Sequence, residues 1–281
     1  MEIARPVAQV YGRLEGVDWI AVSGSTARGN ADEYSDLEMW ATGGSLPDLA
    51  ARMAVLSGLS DTGHAAPREE AKGGMTRPEA AVISGVAVYV TVGSNNDLLS
   101  VGLEIDKNLG TPMEAAIADF HDLVVLHDPK GLYRTVKQRL DDYPVMLGTK
   151  VIGRLLQEIV DLCANAVPRA FRSQNWMELL HARSAGQEAL LRIAFVLNRD
   201  YFPRVKDADW LLDSMAQLPE GFAERMRLNA REESIRVARV RLIALARGLV
   251  QLARDVWPEP LSETVVAELN GIAEELGPLS P

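Results

Sequence analysis

The sequence predicts an α+β fold, and three observations carry the prediction. The first half alternates short apolar runs of strand character with helical stretches. The second half shows helical periodicity alone, and the composition changes after Tyr143-Pro144. Together these place an α/β-type domain over residues 1–143 and an all-helical domain over residues 144–281. A length of 281 residues accommodates two domains at roughly 100–200 residues each.

In the first half, Val7 to Leu14 has helical spacing, and Trp19 to Val22 is an apolar run short enough for a buried strand. Gly24-Ser25 reads as a turn, and Thr26 to Gly29 as the start of a helix. A second strand begins near Ser35 and carries Leu37, Met39 and Trp40. Leu46 to Leu59 returns to the helical period. Residues Ser60 to Pro78, rich in Gly, Pro and charge, read as a loop or irregular strand. Ala81 to Val92 is dense in Val, Ile and Tyr and predicts one strand, and Leu123 to Leu126 another. His127-Asp128-Pro129-Lys130-Gly131 breaks the chain before a helix over Leu132 to Leu140.

After Tyr143 the helical stretches are Val151–Ala166, Trp176–Leu197, Asp209–Ala216, Gly221–Leu228, Ser234–Trp257 and Ser262–Leu276. Pro203, Pro219 and Pro258 punctuate them.

Composition narrows the function. A hydrophobic share of 47% and a charged share of 24% describe an ordinary globular protein. The net charge is −10, with no basic stripe, which argues against long nucleic acid as a partner. The one cysteine, Cys163, lies in an apolar helical stretch and reads as a buried thiol in a reducing compartment. The N-terminus lacks a signal-peptide core, and the most apolar long stretch, Val237 to Val256, is interrupted by Arg239, Arg241, Arg247 and Arg254. A cytoplasmic protein with no membrane segment is expected. No histidine shows zinc-site spacing, and there is no Walker A, no Gly-x-Ser-x-Gly and no dinucleotide fingerprint.

The chemistry is concentrated between Gly24 and Glu38. Gly24 follows a buried strand and allows a tight turn with close backbone approach to a ligand. Ser25 then stands at a helix start, where free N–H groups and a hydroxyl favour phosphate. Asp36 and Glu38 are separated by one residue on a strand, so both side chains point to one face while Leu37 points to the core. Neighbouring carboxylates repel unless a cation lies between them, and Mg²⁺ is the natural candidate beside a phosphate cradle.

Gly-Ser, a spacer, and Asp-x-Glu on the next strand resemble the polymerase-β-like nucleotidyltransferase superfamily. The Ser25-Thr26-Ala27-Arg28-Gly29 and Tyr34-Ser35-Asp36-Leu37-Glu38 segments are similar to its antibiotic (aminoglycoside and lincosamide) and minimal branches. The resemblance implies a catalytic domain with a small mixed sheet followed by a helical bundle. It implies Mg²⁺ held by Asp36 and Glu38, nucleotide contacts from Gly24, Ser25 and Arg28, and ATP or another NTP as co-substrate. The acceptor it implies is a hydroxylated small molecule. Two alternatives stand beside it: transfer to a protein or RNA acceptor, as in toxin–antitoxin pairs, and a nucleotide-binding regulatory module with weakened catalysis.

The pattern is incomplete at one place. Such enzymes carry a third carboxylate on a later strand, and Val86 to Val92 contains none; Tyr89 stands there instead. Glu104 and, in the helical half, Glu188 are the candidate acids or bases. Arg154, Glu158, Asp161 and Asn165 share one helix face, as do Glu178, His181, Glu188 and Arg192. The run Asn198-Arg199-Asp200-Tyr201-Phe202-Pro203 is similar to a segment of small-substrate nucleotidyltransferases that precedes a lysine, which implies that Lys206 reaches the triphosphate.

Overall fold

The computed structural model describes residues 1–67 and 78–277. Its elements in chain order begin with α1 (Ala4–Tyr11), β1 (Trp19–Ser23), α2 (Gly24–Arg28), β2 (Leu37–Gly43) and α3 (Leu49–Ser57). Then come β3 (Ala66–Pro67), β4 (Glu79–Ile83), β5 (Val86–Ser94), α4 (Asn95–Asn108), α5 (Glu114–His121), β6 (Val124–His127) and α6 (Leu132–Asp141). The helical part comprises α7 (Val145–Asp161), a π-turn (Leu162–Ala166), α8 (Val167–Arg172), α9 (Trp176–Leu197), α10 (Val205–Leu212), α11 (Phe222–Ala230), α12 (Ile235–Val256) and α13 (Glu263–Leu276). The fold class is α+β, as expected. Among the described residues no strand follows Tyr143, and no helix is long and apolar enough to cross a membrane.

Two units divide the chain. The first is Met1–Lys107 with Ala116–Asp142, and the second is Asn108–Ala115 with Tyr143–Pro281. Residues 108–115, which the sequence groups with the first half, cluster with the helical unit.

The first unit is built on a six-stranded sheet of order β3-β4-β5-β2-β1-β6. β2 and β5 run parallel and every other pair antiparallel, so the sheet is mixed. Ile20, Val22, Leu37, Met39, Val88 and Val90 line one face, together with buried residues of α1 and α3. Side chains alternate faces along a strand, which leaves Ser23, Glu38 and Tyr89 on the other face.

Several elements differ from expectation. The predicted strand over Ala81–Val92 is a hairpin, β4 and β5, turning at Ser84-Gly85. Both residues have positive φ, 51° and 78°, as a two-residue hairpin turn requires. Asp61 closes that turn by accepting from Ser84 N and Gly85 N, each at 2.8 Å. Helices α4 and α5 are further elements that the sequence reading does not assign. α10 starts at Val205, directly after the Pro203 break, and ends at Leu212. The loop expected over Ser60–Pro78 lies in part, at residues 68–77, outside the described residues.

The second unit packs α9 with its C-terminal half, Ala189 to Leu197, wholly buried. Glu114 organises one end of it. Its Oε2 accepts from Gly110 N at 2.8 Å and from Arg192 at 3.1 Å, and its Oε1 from Phe202 N at 2.9 Å. Arg192 also donates to Thr111 O and stacks over the Phe202 ring, 4.4 Å from its centroid.

Candidate active site

β1 is buried along its whole length and delivers the chain to Gly24. Gly24 has φ +68°, a conformation open to glycine and strained for other residues. A Cβ on Gly24 would overlap Glu38 Oε2 and lie 3.3 Å from Glu38 Cδ. The absent side chain therefore lets the β2 carboxylate settle against the turn. The Gly-Ser turn and the second carboxylate, 14 positions apart by their numbers, meet in space.

Register explains why. Glu38 pairs with Ser23 of β1 on one side and with Tyr89 of β5 on the other. Paired residues project to the same face. Asp36 directly precedes β2, two residues before Glu38; both acids are half-buried. Ser25 is half-buried in the first turn of α2.

Helix α2 is only five residues long and ends at Gly29, φ +79°, whose N–H returns to Ser25 O. So short a helix contributes little macrodipole, and its free N–H groups and the Ser25 hydroxyl are what it offers an anion.

The loop from α2 to β2 is closed by its own side chains. Asp32 Oδ1 accepts from Tyr34 N at 3.0 Å and from the Ser35 hydroxyl at 2.7 Å, and Ser35 Oγ accepts from Asp32 N at 2.9 Å. These bonds, the Ser35 hydroxyl first, hold the Asp32 carboxyl below its ordinary value. Asp32 thus shapes the approach to Asp36 and is committed to the turn.

Arg28 departs from its expected place at the nucleotide. Its side chain is 3% exposed and pairs with Asp119 at 3.2 Å and with Asp122 at 3.7 Å. It ties α2 to α5 inside the first unit.

The other candidates are placed as follows. Glu104 is exposed on α4. Tyr89 is the direct strand neighbour of Glu38 on β5. Glu188 belongs to the helical unit, where Arg192 binds its Oε1 through Nε and Nη2, both at 2.9 Å. Lys206 is exposed in the first turn of α10.

The Asn198–Pro203 run is a folded turn. Asn198 Nδ2 donates to Ala194 O and Gln217 O, each at 2.8 Å, and Arg199 takes φ +55°. Tyr201 and Phe202 are buried, each 1% exposed. The stripe of Arg154, Glu158, Asp161 and Asn165 lines one shallow surface groove.

Sequence reasoning missed two buried acids. Glu79 is 1% exposed on β4 and receives Tyr11 Oη and Arg52 Nε, both at 2.5 Å. Glu114 is likewise 1% exposed, and its burial raises its carboxyl above the ordinary value against the opposing pull of Phe202 N, Gly110 N and Arg192. Asp18, at the far end of β1, was also missed. It binds Lys130 and Asn95, and these bonds hold it below its ordinary value.

Residues 111–211 match the family described as "Domain of unknown function (DUF4037)". That span covers Glu114, Arg192 and Phe202, while Gly110, the remaining partner of Glu114, lies one residue before it. None of the curated proteins matches. Among solved structures, the chain is similar to a nucleotidyltransferase-like protein from Exiguobacterium sibiricum 255-15. The two share 11% identity, with 98% of this chain and 87% of that chain covered and a TM-score of 0.42.

Proposed function

We propose that the chain is a Mg²⁺-dependent nucleotidyltransferase that moves a nucleoside monophosphate, AMP from ATP by default, to a hydroxyl of a small molecule. One observation carries the reading: the Glu38 carboxylate sits against the positive-φ Gly24 turn. This brings one hard oxygen ligand against the Gly24 turn, with a second carboxylate two residues before it in sequence. The donor set suits Mg²⁺, which prefers carboxylate and phosphate oxygens.

Asp36 and Glu38 would hold the cation, whose charge neutralises the triphosphate and favours departure of pyrophosphate. The Ser25 hydroxyl and the N–H groups of the turn bind phosphate oxygens and align the chain of the nucleotide. The acceptor oxygen bonds to the α-phosphorus as the bond from that phosphorus to the bridging oxygen breaks. Pyrophosphate leaves with the electron pair, and the hydroxyl proton passes to a carboxylate. Glu188 and Glu104 are the two proposed bases, and Lys206 a proposed triphosphate contact. A cationic acceptor of the aminoglycoside kind suits the net charge of −10. We place the activity in the cytoplasm.

The test is a pyrophosphate-release screen with Mg-ATP against hydroxylated small molecules, with the Asp36→Asn, Glu38→Gln double variant as control. Release that requires an acceptor and disappears in the variant supports the reading. A mass increase on a protein or RNA acceptor in place of a small molecule moves the enzyme to the toxin–antitoxin class.

One observation favours a second reading. Tyr89 occupies the position beside Glu38 where an acid is expected, which suits a regulatory module that binds the nucleotide without turnover. Mg-ATP binding with no pyrophosphate from any acceptor supports that reading.

A further inference from the structure

The helical unit holds a small cavity lined by Cys163, Ala182, Arg183, Gln187, Asn229 and Arg239, among others, with a volume of about 20 Å³. Its walls come from the π-turn, α9, α11 and α12. Two polar atoms there, Asn229 Oδ1 and Arg239 Nε, are buried and make no hydrogen bond to any described residue. Asn229 itself is 2% exposed. Leaving such groups unsatisfied destabilises the fold, so a native interior supplies them with partners. One water needs about 10–15 Å³ and two to four polar neighbours. The cavity meets the volume, and the two residues that carry the unsatisfied acceptor and donor both line it.

We propose that this cavity is a structural hydration site, in which one water donates to Asn229 Oδ1 and accepts from Arg239 Nε. It stitches α11 to α12 across the π-turn, where the helix backbone is locally widened. A metal ion does not fit the donor set: two guanidinium groups line the site, and burial pushes the Cys163 thiol up to about 12, which keeps it protonated. That S–H is a weak further partner for the water.

A high-resolution crystal structure of the full chain tests the site directly. The expected result is one ordered water within hydrogen-bond distance of both atoms. In solution the same water gives slow-exchange cross-peaks to the Asn229 side-chain amide. An empty cavity, or a direct Asn229–Arg239 hydrogen bond, overturns the proposal. Stability gives a second reading. Asn229→Leu and Arg239→Met are each expected to raise the unfolding equilibrium constant about tenfold, by stranding the other partner. The double variant is expected to be more stable than either single one and to approach the parent, because nothing polar is then left unpaired. Additive losses contradict the bridge.

Discussion

Glu79 and Glu38 stand on the same sheet and have opposite surroundings. Glu79 points into the apolar layer under α1 and α3, 1% exposed, with Arg52 on one oxygen and Tyr11 on the other. Burial and the adjacent Glu79 push the Tyr11 phenol up, so it remains a donor. Glu38 is half-buried on the opposite face, against a glycine that leaves room beside it. A carboxylate whose oxygens are both taken by buried donors serves the fold. One that is half-buried at the Gly24 turn, two residues after a second half-buried acid, is the one proposed above for binding. The contrast lies in what surrounds each acid, and both acids lie in strands of similar make-up.

The largest expected effect tests the structural acid. Glu79→Ala leaves a largely buried guanidinium unpaired, and loss of one partner of a buried pair costs about 3–5 kcal/mol. Urea unfolding followed by tryptophan fluorescence reads this through Trp19 and Trp40 of the same unit. Glu38→Gln is expected to change stability by less than about 1 kcal/mol in the same assay. Equal losses in the two variants erase the distinction.

Arg28→Met is expected to cost about 1.5–3 kcal/mol, the range for hydrogen bonds to charged groups, because it cuts the tie from α2 to Asp119 and Asp122. A variant as stable as the parent but weaker in nucleotide binding returns Arg28 to the ligand side. Gly24→Ala forces a φ of +68° on a residue with a Cβ, at about 1–2 kcal/mol, and drives the Glu38 carboxylate off the turn. Its diagnostic result is loss of Mg-nucleotide affinity beyond tenfold with the circular dichroism spectrum unchanged.

The smallest effect is in the pH profile. Lys130, then Asn95, hold Asp18 below its ordinary carboxyl value of 3.8. The folded chain binds that proton more weakly than the unfolded chain. Asp18 therefore adds stability above about pH 4, and the contribution disappears as pH falls through the lowered folded value. Asp18→Asn is expected to flatten that acid limb in unfolding midpoints measured against pH. Glu114 has the opposite sign: its raised value means that falling pH favours the folded state until the pH drops below the ordinary carboxyl range.

Local patterns made much of this legible in the sequence. The β1 run, the Gly24-Ser25 turn and the one-residue spacing of Asp36 and Glu38 all follow from short-range periodicity. α9 matched its predicted span, Trp176 to Leu197, because Asn175 caps it and Pro203 follows it. What stayed hidden depends on partners distant in sequence. Tyr11 meets Glu79 across 68 residues and Arg28 meets Asp119 across 91, so neither pairing has a local signature. The Asn198–Pro203 run looked like part of a binding segment, yet its Phe202 N–H is spent on Glu114, 88 residues away. Only the Ser84-Gly85 turn carried a readable signal that was overlooked, as a small-residue pair with positive φ dividing a run of strand formers.

In the proposed function the half-buried acids Asp36 and Glu38 hold a metal-bound nucleotide. Calorimetric titration of ATP into the full chain, with and without Mg²⁺, tests it most directly, run alongside the Asp36→Asn, Glu38→Gln double variant. The account predicts binding that requires Mg²⁺ and is lost in the variant while its circular dichroism spectrum and unfolding midpoint hold. Equal Mg-ATP affinity in the parent and the double variant would contradict it.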